Sequence, residues 1–177
     1  MKILFISLGC DKNLADSEEM LGLLTGNGHE IVDSEEEADA IVINTCCFIH
    51  DAKEESVNTI LEMAEYKKTG TCKILIVTGC MAQRYKEEIT KEIPEVDAVL
   101  GTTSYGDIVK ALNEAEAGHV FQEFKDINAL PEDSGRRVIT TGGHFGYLKI
   151  AEGCDKHCTY CIIPSLRGKF RSVPEVF

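Results

Sequence analysis

Short apolar runs alternate along this chain with stretches whose apolar residues recur at helical spacing, a pattern that predicts βαβ units around a parallel sheet. Residues 2–8 read as the first strand, ended by Gly9, and a helix over 16–25 follows. That helix presents Met20, Leu21 and Leu24 and stops at Gly26-Asn27-Gly28. A short strand over 30–32 precedes a fully apolar one over 40–44, the kind buried on both faces. The helix predicted over 51–68 carries Val57, Ile60, Leu61 and Ala64 along one face. Asp51, Glu54 and Glu55 at its start and Lys67 and Lys68 at its end suit the helix dipole.

A strand over 73–78, a helix over 83–93 ended by Pro94, and a strand over 98–100 complete the repeat. Ser104 and Asp107 resemble a capping box for a helix that buries Ile108, Leu112 and Ala115. After Gly118 the pattern loosens into a turn-rich connection with Pro131, Glu132, Asp133, Ser134 and Gly142-Gly143, and one strand over 120–124. The reading is therefore an α/β domain over 1–117, a linker over 118–143, and the start of a second domain over 144–177. Its first strand is predicted over 147–151.

The chain of 177 residues has room for one domain and part of another. A net charge of −12 argues against non-specific affinity for nucleic acid or anionic membrane. The exception is the tail, where Lys149, Lys156, Arg167, Lys169 and Arg171 outnumber the acids, a pattern read as a solvated basic patch or a substrate-facing edge. The first apolar run is too short for a signal peptide or a spanning helix, so a cytoplasmic protein without membrane contact is expected. Eight cysteines in a reducing compartment favour metal, cluster or catalytic roles over disulfides.

Six of these cysteines form two triplets. Cys10, Cys46 and Cys80 each stand just past the carboxyl end of a predicted parallel strand, the edge at which open α/β sheets bind ligands. Any one of them reads equally as a small buried hydrophobe, but three in equivalent places do not. Cys47 is the spare of an adjacent pair and Cys72 a loop thiol. The second triplet, Cys154, Cys158 and Cys161, has the spacing Cys-x-x-x-Cys-x-x-Cys. A structural zinc wants four ligands, with His157 or another cysteine completing such a site, whereas a four-iron cluster on three cysteines keeps one iron open.

The second triplet, with Tyr160 before its last cysteine, resembles the cluster motif of the radical S-adenosylmethionine superfamily. Both triplets in this order, with Gly9-Cys10, Asn44-Thr45-Cys46 and the run from Gly79 to Arg84, resemble the methylthiotransferases of that superfamily. The resemblance implies a flavodoxin-like parallel sheet domain followed by the first unit of a radical S-adenosylmethionine α/β barrel. It also implies two 4Fe-4S clusters, S-adenosylmethionine near Tyr160, and an electron donor as partner. Cys47 stands where the family has glycine, which leaves Cys46 and Cys47 both candidates, with the Asn-Thr-Cys alignment favouring Cys46.

Lys12-Asn13-Leu14, Phe48-Ile49, residues 52–56, and Ile162-Ile163-Pro164-Ser165 with Arg167-Gly168-Lys169 resemble the RimO-type branch. Its substrate is an aspartate of the small-subunit ribosomal protein S-twelve; the competing MiaB-type branch modifies a tRNA adenosine. Few residues follow Cys161, while a full barrel takes ~250, so an N-terminal fragment, inactive alone, is expected. The rival from another class is a non-catalytic iron–sulfur or zinc module. A flavin protein is disfavoured, since no phosphate-binding loop follows the first strand.

Overall fold

The computed structural model describes residues 1–130 and 135–174. The expected turn residues Pro131, Glu132, Asp133 and Ser134 lie outside them. Six parallel strands form one sheet: β1 (Lys2–Ser7), β2 (Glu30–Val32), β3 (Ala40–Thr45), β4 (Ile74–Gly79), β5 (Ala98–Leu100) and β6 (Phe121–Glu123). Their order, β2-β1-β3-β4-β5-β6, is flavodoxin-like and reverses direction between β1 and β3, where such sheets open a crevice.

Every residue of β3 and β4 is buried, as a strand covered on both faces requires. Because side chains alternate, Ile41, Ile43, Leu75 and Val77 face one way, against Ile60, Met63 and Ala64 of α2 (His50–Thr69). Val42, Ile74 and Ile76 face the other way. There they meet Met20 and Leu24 of α1 (Asp11–Gly26) and Ile108 and Leu112 of α5 (Ile108–Glu116). Between β4 and β5 run two short helices, α3 (Cys80–Arg84) and α4 (Lys86–Glu92).

Several local expectations change. The single helix over 83–93 is broken at Tyr85, whose backbone leaves the helical region (φ −120°, ψ 34°), and its first part starts at Cys80, directly from the strand end. On α2 the buried face is Ser56, Ile60, Met63 and Ala64, while Val57 and Leu61 are exposed. Ser104 and Asp107 do not form a capping box: the Ser104 hydroxyl accepts the Lys125 amide and Asp107 pairs with the Lys125 ammonium. The strand expected within 120–124 is β6, which joins the sheet beside β5.

The strand expected over 147–151 shrinks to β7 (Ala151–Glu152), antiparallel to β8 (Arg171–Ser172). Leu148 and Ile150 have no apolar layer to pack on and remain exposed. The short helix α6 (Ile163–Arg167) sits between the two strands of this ribbon. A barrel wall is not seen among the described residues. No helix among them is long and apolar enough to cross a membrane.

Candidate functional site

Cys10, Cys46 and Cys80 line one cavity of about 980 Å³ at the carboxyl edge of the sheet. The topology brings them there: Cys10 follows β1 and caps the start of α1, Cys46 follows β3, and Cys80 opens α3 after β4. Cys10 is exposed, the other two buried. Two glycines allow the loops to come this close. A Cβ on Gly9 (φ 98°) would stand 2.7 Å from the Cys46 Cβ, and one on Gly79 (φ 93°) 2.3 Å from Asn44 Oδ1.

Buried polar side chains then fix the loop backbones. The Asn13 amide donates to Leu8 O at 3.0 Å and to Thr45 O at 2.8 Å, tying the Cys10 loop to the Cys46 loop. Cys80 Sγ lies 3.7 Å from Asn13 Oδ1. The Ser56 hydroxyl accepts from the Cys46 amide and donates to the Cys46 carbonyl, at 3.0 and 2.8 Å. Asn44 donates to Asn13 O and Ser17 Oγ, each at 2.9 Å. Cys47 points away from the cavity into the apolar layer, where its thiol donates to Cys80 O at 3.3 Å. Burial pushes its pKa up to about 11. Cys72, expected as a loop thiol, is a loop residue but buried.

The tail is no solvated basic patch at its two key positions. Arg167, buried, donates to Asp16 Oδ2 at 2.7 Å, to Glu152 Oε2 at 3.2 Å and to Asn13 Oδ1. Lys149 pairs with Asp16 and lies 3.4 Å from Glu152 Oε2, and it donates to the Tyr105 hydroxyl at 3.2 Å. Lys12 reaches Glu152 Oε1 at 3.5 Å. Burial alone would raise the Glu152 pKa, but Arg167, Lys149 and Lys12 outweigh it and hold the carboxyl below its ordinary range. At Cys80 the balance runs the other way: burial raises the thiol pKa, and the nearby Arg167 guanidinium only partly opposes it. A metal bound at such a thiol would displace its proton to solvent.

The second triplet sits in the loop between β7 and α6. Cys154 and Cys161 are half-buried, Cys158 is exposed, and Tyr160 is 88% exposed, so its ring is not a core residue. The loop is pinned where Cys154 N donates to Gly168 O at 3.1 Å, while Lys156 N donates to Cys154 Sγ at 3.4 Å. None of these three cysteines lines the first cavity; α6 contributes Ile163, Leu166 and Arg167 to its wall instead.

Among the described residues, no three His, Cys, Asp or Glu side chains gather closely enough for a single ion. A tetrahedral zinc draws sulfurs to about 2.3 Å from one centre. Three soft thiols lining one cavity have the donor chemistry that iron–sulfur clusters use. Asn13, Asp16, Ser56 and Glu152 escape a reading of the sequence for chemistry. Asn13 and Ser56 lie in segments that carry the family resemblance, but among polar neighbours nothing in the sequence marks any of the four as buried.

A family model described as "Uncharacterized protein family UPF0004" matches residues 2–101. A protein of Lachnoclostridium phytofermentans named "Ribosomal protein uS12 methylthiotransferase RimO" is 67% identical over 174 residues, 98% of this chain and 40% of that protein. Proteins of the same name from Clostridioides difficile and Acetivibrio thermocellus are 52% and 51% identical, each over 97% of this chain and 39% of their own length. The chain thus spans about two fifths of the length of the curated relatives it matches, aligning with their N-terminal part. With a parallel sheet of flavodoxin-like order under the matched residues, this chain belongs to the family described as UPF0004, in the company of proteins named RimO.

Proposed function

We propose that this chain serves a methylthiotransferase that adds a methylthio group to the β-carbon of an aspartate in ribosomal protein uS12. The observation that carries the reading is the convergence of Cys10, Cys46 and Cys80 on one cavity, from strand ends far apart in sequence. The names of its relatives support the substrate. Cys10, Cys46 and Cys80 would hold one 4Fe-4S cluster, and Cys154, Cys158 and Cys161 a second. With S-adenosylmethionine, such clusters supply reductive radical chemistry and a sulfur atom for transfer, the electron coming from a separate donor.

The chain's own residues prepare these sites. Asn13 and Ser56 hold the Cys10 and Cys46 loops at fixed spacing. Of the adjacent pair, Cys46 lines the cavity and Cys47 packs in the core, which supports Cys46 as the ligand. The exposed ring of Tyr160 is free to pack on the adenine of S-adenosylmethionine. Eight free cysteines fit a reducing cytoplasm.

Deleting the gene in the source organism and weighing uS12 peptides tests the substrate. The aspartate-bearing peptide is expected to lose the mass of one methylthio group. An unchanged uS12 peptide, with the loss found on a tRNA adenosine, would move the chain to the other branch.

A further inference from the structure

Arg167 closes α6, shortly after the last cysteine of the second triplet, and is only 3% exposed. A buried guanidinium persists only where its N–H groups find acceptors. Those acceptors come from both parts of the chain: Asp16 and Asn13 on α1, and Glu152 on β7. Asn13 Oδ1 also lies 3.7 Å from the Cys80 thiol, and Arg167 and Cys80 share one cavity wall.

The other contacts that seat this segment are also polar: Lys149 on Asp16 and the Tyr105 hydroxyl, and Lys12 on Ala151 O and Glu152. Leu148, Ile150 and Tyr160 are 81%, 69% and 88% exposed, so residues 147–160 bring few apolar anchors to the first domain. Beyond that stretch, Leu166 is buried in the same apolar layer as Met81, with Ile162 packed against it, and the Leu166 carbonyl accepts from Thr102 Oγ1 at 2.8 Å. Arg167 is its neighbour. A lysine at this place would lose the two-nitrogen fork, one nitrogen of which reaches Asp16 and Glu152 and the other Asn13.

We propose that Arg167 is a positioning residue, a buried latch that seats α6, and the loop of Cys154, Cys158 and Cys161 behind it, over the cavity of Cys10, Cys46 and Cys80. The inference takes from the proposed function only that both triplets serve one reaction. It concerns the metal-free protein and is tested there.

In the reduced, metal-free chain, N-ethylmaleimide modification of Cys80 is followed on the tryptic peptide 74–84. Cys72 on peptide 69–73, buried ahead of β4, serves as the reference; each peptide carries a single cysteine. Arg167→Met is expected to raise the Cys80 to Cys72 rate ratio by at least about tenfold, because α6 opens without the sheet unfolding. Arg167→Lys is expected to fall between Met and wild type, with the charge kept and the fork lost. The latch is overturned if the Met variant leaves the ratio unchanged, if Cys72 is released as fast as Cys80, or if lysine protects as well as arginine. None of these outcomes depends on iron or on uS12, so latch and proposed function can fail separately.

Discussion

The two cysteine triplets bring their thiols together in opposite ways. Cys154, Cys158 and Cys161 are neighbours in the chain, in a pinned loop between a strand of a two-stranded ribbon and the short helix α6. Cys10, Cys46 and Cys80 are brought together only by the sheet, with Asn13, Ser56, Gly9 and Gly79 fixing the last few ångströms. Closing long loops costs entropy that local spacing avoids. The distant triplet therefore rests on a buried scaffold, and the contiguous one needs almost none. Substitutions around the first triplet should cost much stability, and those around the second little.

The largest effect is expected from Gly79→Ala. Its Cβ would meet Asn44 Oδ1 at 2.3 Å and Thr45 O at 2.5 Å, in a backbone conformation that disfavours side chains. Urea unfolding should show a loss of about 3–5 kcal/mol. Gly143→Ala, also at positive φ but with open space around it, should cost about 1 kcal/mol. Equal costs would remove the contrast.

Asn13→Ala comes next. It leaves Leu8 O, Thr45 O and one edge of Arg167 without their partner, an expected loss of about 3 kcal/mol by the same measurement. At the other end of the scale, Tyr160→Ala should stay within about 0.5 kcal/mol, since the ring is solvent-exposed.

Between these lies a dependence on acid. Glu152 and Glu18 have folded-state pKa values below the ordinary 4.5. For Glu152 the cations outweigh burial; for Glu18 burial is outweighed by donors from Thr140 and Arg137. Depressed carboxylates stabilise the fold fully above that ordinary value and lose the contribution as pH falls through their lower folded values. Stability should therefore drop on acidification below about pH 4.5. Glu152→Gln should flatten that drop; an unchanged acid limb would show that the carboxylate is not held ionised.

The sheet was legible because β3 and β4 are continuous apolar runs, and the first triplet because each cysteine follows such a run. The spacing of the second triplet needed no fold to be seen. Ser56 and Asn13 were not legible as scaffold: a polar residue on a helix face looks solvated until the backbone group it serves is known. The break at Tyr85 and the use of Lys125 by Ser104 and Asp107 arise from tertiary partners that local propensity does not encode. For the same reason Lys149 and Arg167 read as surface charge, although the acids that pair with them lie on α1 and β7.

The most direct measurement is iron and sulfide content after anaerobic reconstitution of the chain and two triple variants, one with Cys10, Cys46 and Cys80 changed to alanine, the other with Cys154, Cys158 and Cys161 changed. About eight irons are expected in the parent, and about four in each triple variant. A parent that takes zinc and no iron, or a first-triplet variant that keeps all of its iron, would contradict the account.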